Sequence, residues 1–307
     1  MSVSDVWDVL VLGVVLGSLY AVIAIGYTLV YGVLQLLNFA HSEVFMSGGY
    51  GGLIALTLVE PVADPSGLQS FGYVILGICA GALLGGLVAF GLEKAAYLPL
   101  RRRNAPRLVF LISAIGASFF LYNLAGKLFG RYPIKMPTMY ENRKLFEIFG
   151  TSVSVTQLII VVTAVLMLIL VDFIVNRTKL GSGIRAVAQD PEVASLMGVN
   201  IDRVVSRTFV LGGLMGGVAG FLFGTNLQVE YTMGFLPGIT AFAAAVLGGI
   251  GNVRGAMLGG LTLGIVESFT VELWGDAWRY VGAFAVLILV LMFRPTGILG
   301  ERVGRTA

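Results

Sequence analysis

Six stretches of the chain, residues 9–40, 65–92, 108–126, 148–171, 208–229 and 231–253, contain no Asp, Glu, Lys or Arg. About 20 apolar residues suffice to cross a bilayer as a helix, so each stretch holds at least one crossing. The pattern predicts ten helical segments, near 8–28, 30–41, 43–60, 71–97, 107–126, 154–176, 204–226, 236–250, 254–273 and 278–293, with 30–41 and 236–250 short. The run 9–40 exceeds one ordinary crossing, and Gly26 and Gly32 are its expected breaks. The predicted fold class is all-α: a polytopic transmembrane helix bundle with two short or broken helices, in one membrane domain over residues 1–307.

The polar intervals orient this bundle. "RRRNAPR" (101–107), "NRTKLGSGIR" (176–185) and the tail "ERVGR" are basic, and short basic loops stay in the cytoplasm. Alternating segments put all three on one face, and the same parity puts the N-terminus there too. The loop 127–153 is then extracytoplasmic, although it carries Lys127, Arg131, Lys135, Arg143 and Lys144.

Composition agrees and narrows the chemistry. Charged residues make up 12% against the ~25% of soluble domains, and mean hydropathy is +0.91. A net charge of +3 gives no reason to propose nucleic acid as a partner. The opening "MSVSDVWDVL" has two acids and no Lys or Arg, unlike the basic start of a cleaved signal peptide. The lone Cys79 is expected to be an inert buried thiol. One histidine excludes a multi-histidine metal site. The chain has no G-x-x-x-x-G-K-[ST] phosphate loop, so any ATP chemistry belongs to another subunit and no cofactor is expected here.

Glycine is abundant, at 42 residues, and small residues let membrane helices approach closely. "NFAHSEVFMSGGYGG" (38–52) is similar to "AFAAAVLGGIGN" (241–252) with one gap. In each half the short segment precedes a glycine-rich helix, 43–60 in one and 254–273 in the other. Such matched, interrupted segments point to a transport path, and the predicted topology makes the two repeats parallel. Asn38, His41, Glu43, Gly48 and Gly49 of the first cluster, with Phe242, Gly248 and Gly249 of the second, are candidates for lining that path. Glu267, deep in the next helix, joins them, because ionisable groups in the bilayer are functional candidates by default. His41 and Glu43 are expected at the cytoplasmic turn between 30–41 and 43–60. They either satisfy backbone groups freed at a helix break or pair locally, or they line the cytoplasmic end of the path or transmit motion from ATP-binding subunits.

On the inner face, "KLGSGIRAVAQDPEVASLMGVNIDRVVSR" (179–207) carries its own helix punctuation. Asp190 is a good N-cap, Pro191 suits the first helical position, and Gly198 suits a left-handed end. Val193, Leu196 and Met197 share one face at i, i+3, i+4 spacing. That stripe either packs on neighbouring helix ends or lipid, or docks into a partner.

"AQDPEVASLMGVNIDRVVSRTFV" resembles the cytoplasmic coupling loop of ABC importer permeases, with Glu192, Ala194 and Gly198 at the matching places. More closely, "GSLYAVIAIGYTLVYGVLQLLNFAHSEVFMSGGY", "ISAIGASFFLYN", "DPEVASLMGVNIDRVVSRTFV", "AFAAAVLGGIGNVRGAMLGGLTLGIVE" and "RPTGILG" resemble the branched-chain amino acid ABC permeases of the LivH type. Ser42 departs from that pattern, where the family usually has glycine. The resemblance implies a prokaryotic inner-membrane permease that pairs with a second, similar permease. An extracytoplasmic binding protein delivers substrate, and two ATP-binding subunits dock on the loop 179–203 through Asp190, Pro191, Glu192, Val193, Leu196, Met197 and Gly198. Urea and short-chain amide permeases share much of the pattern. Two other classes compete: an ion-coupled secondary transporter, which needs buried ionisable groups but no coupling helix, and an intramembrane enzyme, which needs a convergent catalytic set.

Overall fold

The computed structural model describes residues 3–36, 38–62, 64–148 and 150–300. Backbone groups in hydrocarbon have no water to bond, and the chain answers with helices: α1 (Val3–Leu34), α2 (His41–Val59), α3 (Gly67–Leu92), α4 (Leu98–Arg102), α5 (Arg107–Phe129), α6 (Val155–Arg177), α7 (Lys179–Gln189), α8 (Pro191–Leu196), α9 (Ile201–Asn226), α10 (Phe235–Gly248), α11 (Val253–Trp274) and α12 (Arg279–Phe293). A π-helical turn, Glu93–Tyr97, joins α3 to α4. Eight helical stretches among the described residues are long and apolar enough to cross a membrane, and α10 is a shorter apolar helix. A hairpin of β1 (Lys144–Ile148) and β2 (Thr151–Ser154) precedes α6.

The two predicted segments at the start of the chain are one. α1 runs unbroken for 32 residues, about 48 Å at 1.5 Å per residue, a single tilted or projecting crossing. Gly26 and Gly32 do not interrupt it. Gly26 instead makes room for a neighbour: a Cβ there would run into the His41 imidazole. Residues 35, 36 and 38–40 are not helical. The chain turns at Gln35 (φ +51°) and re-enters the bundle to start α2.

This removes one crossing and reverses α1. Its early residues Trp7, Leu10 and Val14 share a crevice with Val153, Gln157 and Leu158 at the start of α6. Its last residue, Leu34, packs against the cluster that holds Val204 and Val205 beside the 179–203 loop. At the other end of the chain, Ile298 and Leu299 donate backbone hydrogen bonds to Leu247 and Gly248 at the end of α10. The Arg254–Asp172 ion pair fixes that end near the α6–α7 corner. Val3 and Gly300 therefore lie at opposite ends of the bundle, and the expectation of both termini on one face fails.

The internal repeat is also inverted rather than parallel. α2 lies parallel to α9, with Gly48 on Gly217 and Gly52 on Phe221. α1 lies antiparallel to α11, with Gly13 on Ile265 and Gly17 on Leu261. The unit α1–α2–α3 thus recurs upside down as α9–α10–α11. α1 packs on α11 as α9 packs on α3, and α10 packs on α1 and α11 as α2 packs on α9 and α3. The sequence match had set the beginning of α2 against the end of α10. Glycines that permit close approach look alike in either chain direction, so they carry no sign of orientation. Cys79 is likewise corrected: it is exposed on the outer side of α3.

Candidate functional site

The inversion brings two helix starts together inside the bundle. His41, the first residue of α2, sits between Gly26 of α1 and Gly216 near the middle of α9, with a Cβ at Gly216 3.4 Å from its ring. α10 begins at the same depth, and Gly234 is there because any Cβ would strike the Ser42 carbonyl. α3, α6, α9 and α11 have side-chain caps from Ser66, Ser154, Asn200 and Asn252. α2 and α10, like α5 and α12, start without a side-chain cap. The amino ends of α2 and α10 carry the partial positive charge of the helix dipole to one place.

Beside that place is a cavity of about 600 Å³. Its wall is mostly aromatic and aliphatic, with Phe39 from α2's approach, Phe119 and Tyr122 from α5, Tyr231 from the turn before α10, and Phe235 and Phe242 from α10. Tyr122 and Tyr231 stack at 5.4 Å. The charged residues among its lining are Glu43 and Glu230, both acidic. Glu43 is 3% exposed. Its Oε1 accepts from Ser118 Oγ at 3.1 Å, with Ser42 Oγ at 3.3 Å. Its Oε2 has no hydrogen-bond partner among the described residues. Glu230 accepts from Thr232 Oγ1 at 2.7 Å.

Of the residues singled out by sequence, Asn38, Glu43 and Phe242 line the cavity. His41 and Glu43 are not at a surface turn: the missing first short helix moves them to mid-bundle. His41 is buried off the cavity, edge-on to Tyr27 at 4.6 Å. Gly48 and Gly49 are packing positions against Gly217 and Met233. Gly248 abuts Gly255, and Gly249 turns the chain at φ +107°. Glu267 is elsewhere, bonded to Tyr20 at 3.0 Å and Arg279 at 3.2 Å. Sequence reading missed Tyr27, Ser118, Tyr122 and Glu230. Ile115, Ser118, Phe119 and Tyr122 share one face at i, i+3, i+4, i+7 spacing, a signal present but not distinctive. Glu230, the one charge between two long uncharged runs, was the stronger clue.

The second candidate surface is the 179–203 loop. Asp190 caps α8 by accepting from the Glu192 and Val193 amides at 2.9 and 3.0 Å. Pro191 occupies the first turn, and Gly198 has φ +85°. Ala194 is buried against Ile184 and Val187 of α7, a helix the sequence reading left as loop. Val193, Leu196 and Met197 are exposed, the last two at 87% and 80%. Among the described residues, little covers the outer face of Leu196 and Met197. A train of contacts leads from here toward the cavity. Asp202, at the start of α9, pairs with Arg101 at 2.7 Å. Arg101 pairs with the buried Glu93 at 3.1 Å in the π-helical turn. At the other end of that turn, Tyr97 OH donates to Asn38 Oδ1 at 2.9 Å.

Comparison with known proteins assigns a family to this architecture. The family profile described as the branched-chain amino acid transport system permease component matches residues 9–292. The chain is similar to the high-affinity branched-chain amino acid transport system permease protein BraD of Pseudomonas aeruginosa, at 42% identity over 95% of both chains. It is similar to the permease protein LivH of Escherichia coli at 39% identity over 94% of both. A probable branched-chain amino acid transport permease of Methanocaldococcus jannaschii shares 26% identity over 94% of this chain and 90% of that one.

Proposed function

The chain belongs to the permease components of branched-chain amino acid ABC transport systems, and on that premise we propose that it is the membrane-spanning subunit of an importer for branched-chain amino acids. It works beside a second, similar permease. A binding protein loads substrate at the face that carries 127–153 and the start of α1. Two ATP-binding subunits dock at the face that carries α8, which is the cytoplasmic one. The basic loops 101–107 and 177–185 lie on that same face, as the charge bias of cytoplasmic loops requires.

The observation that carries the mechanism is the exposed apolar tip of α8 on a rigid, capped mount. A protein side chain left in water at such a tip gains from a partner's cleft. Fully burying one contributes roughly 1.5–3 kcal/mol. Ala194 anchors α8 to α7, and α9 begins four residues after Met197, so a push on α8 moves the start of α9. Asp202, Arg101, Glu93 and the π-helical turn then carry the displacement to Asn38 at the cavity wall. π-turns within helices often sit at functional positions. The aromatic cavity suits a branched apolar side chain, and its acidic groups favour an amino-bearing substrate over an uncharged amide.

The test is co-purification and leucine uptake with Leu196→Asp plus Met197→Asp. The double variant is expected to reach the membrane, lose its ATP-binding partners and stop uptake. Retention of those partners with normal substrate-stimulated ATP hydrolysis would remove α8 as the docking element. A cysteine at Ser182 should resist labelling from outside intact cells, while one at Ser4 should label.

A further inference from the structure

Three glutamates among the described residues are almost fully buried. Glu93 pairs with Lys94 and Arg101 at 3.2 and 3.1 Å. Glu267 pairs with Arg279. Glu43 has no cationic partner among the described residues, only the hydroxyls of Ser42 and Ser118 on one oxygen. It is also the one of the three that lines the cavity. Its free Oε2 faces the start of α10, 3.4 Å from where a Cβ of Gly234 would stand. A lone carboxylate in a membrane interior calls for a cation, and the described residues supply none.

We propose that Glu43 is the intramembrane receptor for the α-ammonium group of the transported amino acid. This deepens the permease reading above and rests on it. The substrate carboxylate, one carbon from the ammonium, lies against the uncapped amino ends of α2 and α10, where helix dipoles favour an anion. The aliphatic side chain points along the wall of Phe119, Tyr122, Phe235 and Ile239. The zwitterionic head thus meets a carboxylate and two helix amino ends at one point, while the remainder of the cavity is apolar. A broken-helix site at mid-bundle between inverted repeats is the arrangement by which membrane transporters hold charged headgroups.

The test uses the full-length chain, purified in lipid nanodiscs without a binding protein, and three probes. These are radiolabelled L-leucine, L-leucinol (ammonium without carboxylate) and 4-methylpentanoate (carboxylate without ammonium). Leucine is expected to bind. Leucinol should displace it at least tenfold more effectively than 4-methylpentanoate does. Glu43→Gln, the same size and able to keep the serine hydrogen bonds, should weaken leucine binding at least tenfold. Ile239→Trp narrows the cavity from α10 while leaving the Glu43 side chain itself unchanged, and should abolish binding. It decides the matter where the glutamine variant fails to fold. Binding within twofold of wild type in either folded variant overturns the proposal, as does equal displacement by the two analogues or no leucine binding to the wild type. Binding-protein-dependent uptake in cells separates the two levels. Wild-type uptake with an indifferent Glu43→Gln removes this site alone, whereas a wild type that imports no amino acid removes the permease reading.

Discussion

Glu43 and Glu267 are equally hidden from solvent and differently provided for. Glu267 is 0% exposed, with Tyr20 donating to Oε1 and the Arg279 guanidinium beside it, α12 closing over α11. One of its oxygens also lacks a partner, but its charge is met within the chain. Glu43 has two hydroxyls, no counter-charge and a cavity in front of it. The difference teaches how to sort buried charges in a membrane protein. A charge that holds helices together is neutralised by the fold. On the proposal above, a charge kept for a ligand has no counter-charge from the fold and enough hydrogen bonds to fix its direction.

The comparison breaks most visibly at Arg279. Arg279→Ala leaves Glu267 buried without its cation, and breaking such a pair costs about 3 kcal/mol or more. A clear fall in thermal unfolding temperature is expected for the purified chain, with lower membrane levels. Replacing both partners, by Glu267→Gln with Arg279→Gln, should recover most of that loss, because the isolated charge is the damaging element. An unchanged unfolding temperature for Arg279→Ala would end the claim that this pair is structural.

Tyr20→Phe comes next. A hydrogen bond to a charged group contributes about 1.5–3 kcal/mol, and its loss should lower stability without altering substrate selectivity. Tyr97→Phe removes the neutral donor to Asn38, worth about 1 kcal/mol, so stability should fall little. Because the π-helical turn then loses its hold on the cavity wall, transport per ATP hydrolysed should fall in the reconstituted importer. Equal coupling in wild type and variant would cut that link. Smallest in stability is Glu43→Gln, expected within about 1 kcal/mol of wild type because both serine contacts survive as neutral hydrogen bonds. It should nonetheless have the largest effect on leucine transport. A large stability loss there would place Glu43 with Glu267, as a structural group.

The membrane class, the family and the capped helix at 191–196 were legible because each depends on local chemistry: uncharged length, adjacent motifs, and an Asp-Pro start with a glycine end. Cavity residues were only partly legible. Asn38, Glu43 and Phe242 stood out through polarity or position in a glycine cluster. Tyr27, Ser118 and Tyr122 did not, since aromatic and hydroxyl residues are ordinary on any membrane helix. Glu267 was singled out for the same reason as Glu43, and no sequence pattern separates them. Arg279, which decides its role, follows it by twelve residues and lies across a turn.

By itself the sequence determined that this chain crosses a membrane many times as helices, which helices approach closely, and where a rigid surface helix begins and ends. Those properties follow from transfer free energies, side-chain size and capping, all local. Tertiary structure decided that residues 3–34 form one crossing, that the two halves are inverted, and that the starts of α2 and α10 meet beside an unpaired carboxylate. These outcomes turn on direction and on partners far apart in the chain. Apolar length has no direction, and a glycine contact reads the same both ways. Only packing selects which of the permitted arrangements leaves, among the described residues, every buried glutamate but one with a cationic partner.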